Sequence, residues 1–284
     1  MVKKLLTNLY GFLKASRIPN LLIIAATQSM VAVHLLNRSY DEVLSFQFFL
    51  FLGSTLLIAA AGYIINDYYD QKIDMVNRPE RVVVGVLLKR RLALVSHFLL
   101  SLVGISLGFF LDKWVGTIHI ISSVSLWSYS NHFRRQPFIG NLIIGAMTGL
   151  TVVIVSVYFR QYDSLVIVYT FFAGTVTLIR EIIKDIEDVK GESAFGCKTV
   201  PVIWGIRGAK WVIYTVSLAG FLFLLAFLIR TGDPRLWLYF GILSPLYLWF
   251  IYRLVWADKQ KEYVFLHRFC NAIIFSGIVS IIFL

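Results

Sequence analysis

The chain has 284 residues, of which 58% are hydrophobic and only 15% charged, and its mean hydropathy is +0.75. A soluble domain carries about 25% charged residues, so this composition excludes a soluble domain and predicts an all-α integral membrane protein. The net charge of +11 would suit a nucleic-acid partner. Membrane topology accounts for nearly all of the basic residues, however, and we expect no nucleic-acid partner.

The N-terminus and the cysteines give two further expectations. The first ten residues hold Lys3 and Lys4 but no long apolar core and no small-residue cleavage site, so we expect no removable signal peptide. The two cysteines, Cys197 and Cys270, lack C-x-x-C spacing. We therefore expect neither a disulfide nor a zinc site.

Nine apolar runs are long enough to cross a bilayer as helices. These runs lie at residues 18–36, 47–65, 92–111, 114–131, 138–158, 164–181, 211–229, 236–254 and 263–284. We predict nine transmembrane helices in a single domain that covers residues 1–284. The two longest polar joins, 66–91 and 182–210, follow the second and sixth runs, which cross the membrane in the same direction.

The polar joins differ strongly in charge. If the runs cross in alternation, 22 of the 27 lysines and arginines lie on the side of the N-terminus. Basic residues gather on the cytoplasmic side of membrane proteins, so we predict a cytoplasmic N-terminus and a C-terminus on the opposite side. Most acidic residues lie on the same side, in the joins after runs two and six. The positive-inside rule does not require acids there, so they need another explanation.

The first acidic stretch, I-I-N-D-Y-Y-D-Q-K-I-D, begins at Ile64 directly after the second apolar run. If the helix continues, Asn66, Asp70 and Asp74 lie four residues apart on one face. Oxygen ligands of this kind suit a hard cation such as Mg²⁺. The alternative is a solvated loop end, where Asn and Asp commonly form turns.

The second acidic stretch, R-E-I-I-K-D-I-E-D-V-K-G-E, begins at Arg180 at the end of the sixth run. Asp185 and Asp188 are three residues apart, and Glu181 and Glu192 extend the same face by four residues each way. The alternative is a salt-bridged, amphipathic extension of the helix. Because runs two and six end at the same membrane surface, we expect both stretches to face one cavity if the two helices are neighbours.

Two oxygen-rich clusters across one cavity would hold two or three divalent ions that bridge to a phosphate. Nearby basic side chains would then donate hydrogen bonds to the phosphate oxygens. These are Lys72, Arg78, Lys184 and Lys190. The five histidines do not have zinc-site spacing, and the chain has no phosphate-binding G-x-x-x-x-G-K-[ST] loop.

These motifs resemble those of the UbiA superfamily of intramembrane prenyltransferases, and the resemblance covers almost the whole chain. The family pattern N-D-x-x-D-x-x-x-D is matched in full from Asn66 to Asp74, and N-R-P follows at Asn77–Pro79. Lys184–Gly191 resembles the second acidic motif. Smaller matches are Arg17, Pro19 and Asn20; Tyr129, Ser130, Arg134 and Arg135; and Thr199, Pro201 and Gly205.

The resemblance implies nine helices around a central cavity that opens to the cytosol, and Mg²⁺-dependent transfer of a polyprenyl group from its diphosphate to a lipophilic acceptor. The catalytic residues that it implies are Asp70, Asp74, Asp185, Asp188 and Tyr129. The implied ligands of the diphosphate or the acceptor are Arg17, Asn20, Lys72, Arg78, Arg81, Arg134, Lys184 and Lys190. The implied metal ligands are Asn66, Asp67, Asp70, Asp74, Asp185, Asp188 and Glu192.

The sequence that begins at Arg180, R-E-I-I-K-D-I-E-D, most resembles that of family members that add geranylgeranyl to geranylgeranylglyceryl phosphate. Members that prenylate aromatic quinone precursors or attach tetrapyrrole tails share parts of it, and a transporter or a structural scaffold are the alternatives outside the family. Two positions depart from the family pattern, since Val82 follows Arg81 where the family often has proline, and Glu192 stands where Asp is common. Tyr68, Tyr69 and Tyr129 are candidates for rings that face a carbocation; the alternative for each is interfacial anchoring.

Overall fold

The computed structural model describes residues 2–232 and 234–283, with side chains from residue 6 onward except those at 235, 239, 242 and 243. The fold is all-helical, as predicted, with 87% helix and no strand among these residues. The α-helices are α1 Val2–Ala15, α2 Ile18–Met30, α3 Tyr40–Val43, α4 Phe46–Asn77, α5 Arg90–Leu111, α6 Lys113–Asn131, α7 Ile139–Phe159, α8 Ser164–Ala194, α9 Val200–Thr231, α10 Pro234–Trp256 and α11 Gln260–Ser280. A π-helical turn, Val31–Leu35, prolongs α2.

All nine apolar runs lie in helices apart from end residues 36 and 138, and the last residue of the ninth run, 284, lies outside the described residues. Seven helices in the described ranges are both long and apolar enough to cross a membrane: α2 with its π-turn, α4, α5, α7, α8, α9 and α11. The fourth and eighth runs form α6 and α10, which are 19 and 23 residues long. The integral membrane fold is thus confirmed, while the count of nine spans stays a prediction.

Helices α4 and α8 are longer than a membrane requires. Each residue adds about 1.5 Å, so the 32 residues of α4 and the 31 of α8 extend roughly 47 Å, against a hydrocarbon core of about 30 Å. Both begin at a side-chain cap, because Ser45 accepts a hydrogen bond from the amide of Phe48 at 3.2 Å and Asp163 one from the amide of Leu165 at 2.7 Å. The acidic stretches occupy the final turns of both helices.

The described residues form two compact units, the first of which comprises residues 1–134 and 151–162. Helix α4 is its centre and packs against α5, α6, α2 and α1. Small residues permit the close approach, since a Cβ atom at Gly62 would lie 2.7 Å from the Leu126 side chain. At the start of α6, Asp112 caps the helix by accepting a hydrogen bond from the amide of Trp114. Arg160 donates a second hydrogen bond to Asp112, which lowers the pKa of its carboxyl group.

The second unit comprises residues 135–150 and 163–284. Helix α8 packs against α9 and α11 around a core that includes Ile182, Ile183 and Ile213. Helix α9 is interrupted at Gly205, whose φ of 71° lies in the left-handed region that glycine tolerates. The start of α7 lies against α8, because a Cβ atom at Gly145 would be 2.8 Å from the carbonyl oxygen of Gly174. Gly145 and Gly149 lie four residues apart in α7, a spacing that permits backbone contact between membrane helices.

Two elements of the first unit were not predicted. Helix α1 precedes the first apolar run, and a tight turn follows α4, where the amide of Gly85 donates to the carbonyl oxygen of Leu88 at 2.7 Å. Gly85 has a φ of 91°, which favours glycine at this position. Val83, Val84 and Leu88 of this turn form a small core with Ala15 of α1 and with α4.

The contact between α7 and α8 yields a stability prediction. Gly145→Ala should lower the thermal unfolding midpoint in detergent, because the added methyl group would meet the backbone of α8. Gly53→Ala is the matched control. Gly53 lies in α4 with open space around its Cβ position, so alanine there should leave the midpoint unchanged or raise it, since alanine favours a helix by about 0.5–1 kcal/mol. Equal midpoints for the two variants would contradict this packing.

Candidate active site

The first acidic motif lies on the part of α4 that extends past the apolar run, so the helix continues as predicted. Asp70 is buried, with 6% of its surface exposed, although it lies beyond the apolar run. Both of its carboxylate oxygens are occupied: the Asn66 amide donates a hydrogen bond to one, and the Arg134 guanidinium forms an ion pair with the other. A buried carboxylate requires such partners.

A second arginine reaches the same face of α4. Nη2 of Arg17 lies 2.8 Å from Oδ1 of Asp67, and its guanidinium lies over the Tyr63 ring, 5.0 Å from the centroid. Arg17 joins α1 to α2 in a left-handed conformation with φ of 52°. The structure therefore brings Arg17 and Arg134 to the first motif. That they bind the diphosphate or the acceptor stays a prediction.

The other predicted residues of the first unit differ in exposure. Tyr129 is buried, Asp74 and Arg78 are half-buried, and Asn20, Lys72 and Arg81 are exposed. Arg81 lies 3.7 Å from the carboxylate of Glu80, its neighbour in sequence. The Tyr68 ring packs edge-on against Tyr69 and lies 4.6 Å from the guanidinium carbon of Arg90, so a cation of the chain itself already covers one face of Tyr68.

The second acidic motif lies on the last turns of α8. Glu181, Asp188 and Glu192 are buried and Asp185 is half-buried. The side-chain amide of Asn141 in α7 donates a hydrogen bond to Asp185 at 2.7 Å. The hydroxyl of Thr199, which precedes α9, donates one to Glu192 at 2.6 Å. These two bonds fix the carboxylates at both ends of the motif.

Basic residues accompany the second motif, and one acid points elsewhere. Arg180 forms an ion pair with Glu181 at 2.7 Å, and Lys184 lies 4.0 Å from the same carboxylate, while Lys190 is exposed.

Glu187 lies 3.3 Å from Nδ1 of His267 in α11. Position 187 therefore serves the packing of α8 against α11.

Sequence reasoning missed Asn141, although a signal was available. It is a buried amide in an otherwise apolar run, and polar side chains inside membrane helices commonly serve a function. The pairing of Glu192 with Thr199 was also missed, because α8 ends at Ala194 between the two residues. That contact ties Glu192 to the start of α9.

The donor set of both motifs fits a hard cation, since it offers carboxylate and amide oxygens without sulfur or imidazole. In the described part of the chain, however, no three acidic, histidine or cysteine side chains converge as they would around a metal ion. Arginine groups lie against Asp67 and Asp70 instead. Asp67 and Asp70 are thus paired with positively charged groups of the chain itself, at oxygens that a metal ion would also bind.

The Arg134–Asp70 ion pair yields a stability prediction. Arg134→Ala should lower the unfolding midpoint strongly, because it leaves a buried carboxylate without its counter-charge, a loss of about 3–5 kcal/mol. The double variant Asp70→Ala/Arg134→Ala should lose less than the two single variants added together.

Arg135→Ala is the matched control for that experiment. Arg135 is the exposed neighbour, and its backbone carbonyl oxygen accepts a hydrogen bond from the amide of Lys198. Its replacement should leave the midpoint within a degree or two of the parent protein, since surface changes rarely exceed about 0.5 kcal/mol. Similar losses for Arg134→Ala and Arg135→Ala would show that the pair does not carry the stability.

Solved structures confirm the fold. The chain superimposes with a TM-score of 0.75 and 20% identity, over 98% of this chain and 99% of the other, on a structure reported as insights into digeranylgeranylglyceryl phosphate synthase in membranes. An apo UbiA homologue from Aeropyrum pernix K1 gives a TM-score of 0.69 at 17% identity, over 90% and 96% of the two chains. A homologue from Archaeoglobus fulgidus, bound to DMAPP and Mg²⁺, gives 0.64 at 14%, over 96% and 99%.

Sequence comparison identifies the family of the chain. The chain is 34% identical over 212 residues to a digeranylgeranylglyceryl phosphate synthase of Thermococcus kodakarensis, covering 71% of this chain and 72% of the relative. It is 33% identical over 192 residues to one of Methanobrevibacter smithii, covering 64% and 66%. Residues 22–273 match the UbiA prenyltransferase family. The chain therefore belongs to the UbiA prenyltransferase family.

Proposed function

We propose that this enzyme transfers a geranylgeranyl group from its diphosphate to geranylgeranylglyceryl phosphate. The observation that carries the proposal is the first acidic motif, held on the extension of α4 with Asp70 buried between Asn66 and Arg134, in a chain whose relatives are named as synthases of digeranylgeranylglyceryl phosphate. The donor is a polyprenyl diphosphate, the acceptor is a lipophilic phosphate ester, and both partition into membrane lipid.

In this proposal, the carboxylates of the acidic motifs would hold Mg²⁺, which would supply positive charge to the departing diphosphate. The proposed ligands are Asn66, Asp67, Asp70 and Asp74 of α4, with Asp185, Asp188 and Glu192 of α8. Support comes from the oxygen-only donor set and from the UbiA homologues of Archaeoglobus fulgidus, which bind Mg²⁺ with DMAPP or GPP.

The basic residues bind and orient the phosphate groups in the proposed reaction. Arg17 and Arg134 contact the carboxylates of the first motif, and in this proposal Mg²⁺ would replace them there and leave each guanidinium to donate to a phosphate oxygen. Lys72, Arg78, Arg81, Lys184 and Lys190 supply further positive charge, and Asn20 an amide. Charge-assisted hydrogen bonds of this kind are about twice as strong as neutral ones.

The reaction breaks the bond between the first prenyl carbon and the diphosphate oxygen. The allylic carbocation that results bonds to the acceptor hydroxyl oxygen, whose proton passes to the released diphosphate. A dry, apolar surrounding protects the carbocation from water. Tyr129, which is buried in α6, is the aromatic group proposed to face it.

The same proposal sets the orientation of the chain. The N-terminus and the active site face the cytoplasm, because 22 of the 27 basic residues lie on that side if the nine runs alternate. The chain acts as a single prenyltransferase domain over residues 1–284. This orientation gives both acidic motifs access to water-soluble Mg²⁺.

The test is a reaction with purified protein, geranylgeranyl diphosphate, Mg²⁺ and one acceptor at a time. Geranylgeranylglyceryl phosphate should yield an ether-linked product, which mass spectrometry would detect and a chelator would abolish. An aromatic quinone precursor and a tetrapyrrole should yield none. Product with either of those acceptors would replace the acceptor in the proposal, and the absence of product with every acceptor would refute prenyl transfer.

Asp74→Asn should reduce turnover by at least roughly 10²-fold, because it removes a carboxylate proposed to hold the Mg²⁺ whose positive charge would stabilise the departing diphosphate. Glu80→Gln is the control, since Glu80 lies just after α4, is exposed, and pairs only loosely with Arg81. Its turnover should equal that of the parent protein. Equal losses in the two variants would show a general effect of negative charge at this surface.

Asn141→Leu tests the second motif. Leucine has a similar volume but cannot donate to Asp185, so kcat/KM should fall by roughly 10–100-fold, as is usual for groups that orient a ligand of the metal. The apparent Mg²⁺ requirement should rise as well, and Asn141→Gln should restore part of both values. Unchanged Mg²⁺ dependence in Asn141→Leu would count against a role for Asp185 in metal binding.

A further inference from the structure

Helix α1 exposes one apolar face. Leu6, Leu9, Tyr10 and Leu13 are between 45% and 60% exposed, and their spacing of three and four residues puts them on a single side of the helix. An apolar stripe on an outer helix indicates a contact with an apolar medium or a partner.

The other face of α1 is already packed. A Cβ atom at Gly11 would lie 2.8 Å from the carbonyl carbon of Leu87, so the helix backbone lies directly against the turn that follows the first acidic motif. Ala15 is fully buried in the same core. Asn8 accepts a hydrogen bond from the amide of Lys89 at 3.4 Å. The apolar stripe therefore points away from the protein.

The place of α1 in the chain identifies what the stripe meets. Only Ser16 and Arg17 separate α1 from α2, which begins a candidate membrane span at Ile18. The end of α1 is thus at the edge of the bilayer. With 14 residues it extends about 21 Å, which is too short to cross a hydrocarbon core of about 30 Å.

The charges around α1 specify the chemistry of that surface. Lys3, Lys4 and Lys14 lie in the helix, and the exposed residues Lys89, Arg90 and Arg91 lie where the packed turn meets α5. No acidic residue occurs in α1. A short helix with one apolar stripe and flanking lysines is typical of helices that lie in the headgroup layer of negatively charged membranes.

We propose that α1 lies in a negatively charged headgroup layer with Leu6, Leu9, Tyr10 and Leu13 among the upper acyl carbons. Because its opposite face holds the turn at Val83–Leu88, the membrane surface fixes the position of the segment that follows the first acidic motif. The inference concerns binding to the membrane surface and does not depend on which acceptor the enzyme uses.

The test uses a fluorophore attached to single introduced cysteines in the full chain, reconstituted in vesicles with negatively charged lipid. The native Cys197 and Cys270 are buried and should not react. A label at Leu9→Cys should be quenched by lipids spin-labelled near the headgroup at least roughly twofold more than a label at Thr7→Cys. Thr7 is exposed but lies off the stripe. Equal quenching at the two positions would overturn the proposal. It would also be overturned if lipid did not quench the label at position 9 because a second copy of the chain covered it.

Hydrogen exchange on the unaltered protein gives a second test that needs no variant. The backbone amides of α1 should exchange several-fold more slowly in nanodiscs that contain negatively charged lipid than in neutral ones, because lysine contacts strengthen surface binding. The amides of α3, a short exposed helix elsewhere in the same unit, should exchange equally in both. Identical exchange of α1 in the two lipids would refute the headgroup contact.

Discussion

The buried ion pair between Asp70 and Arg134 is the interaction on which the first unit depends. A carboxylate with 6% exposure is stable only if a cation and a hydrogen-bond donor accompany it. Arg134 and Asn66 supply these. The pair fixes the turn after α6 against the final turns of α4, so a carboxylate of the first motif holds these two elements together.

Helix length is the second constraint. Because α4 and α8 are about 47 Å long and the hydrocarbon core is about 30 Å, roughly their last ten residues need not be apolar. Both acidic motifs occupy these final turns. The packing of the apolar spans holds the carboxylates in place, and a turn packed against α1 follows the first of them. A rigid helix positions a ligand better than a loop would.

Helical periodicity was sufficient to predict the apolar runs, the continuation of α4 and α8, and the face that carries Asn66, Asp70 and Asp74. It could not predict that Arg134 pairs with Asp70 or that Asn141 bonds to Asp185, because such contacts join distant helices. It also missed α1, whose stripe is shorter than a membrane span and carries no metal-binding residue. The nine-helix count exceeds by two, α6 and α10, the seven described helices that are long and apolar enough to cross a membrane. In α6, Ser122, Ser123 and Ser125 make the helix more polar.

The central claim is that the acids at the end of α4 act on the diphosphate through a metal ion. Anomalous X-ray scattering from Mn²⁺, in crystals grown with an unreactive prenyl diphosphate analogue, tests this directly. The account predicts a Mn²⁺ peak within about 2.0–2.3 Å of a carboxylate oxygen of Asp70 or Asp74, with the diphosphate bound beside it. Mn²⁺ bound away from both carboxylates, or a diphosphate bound away from the ion, would contradict it.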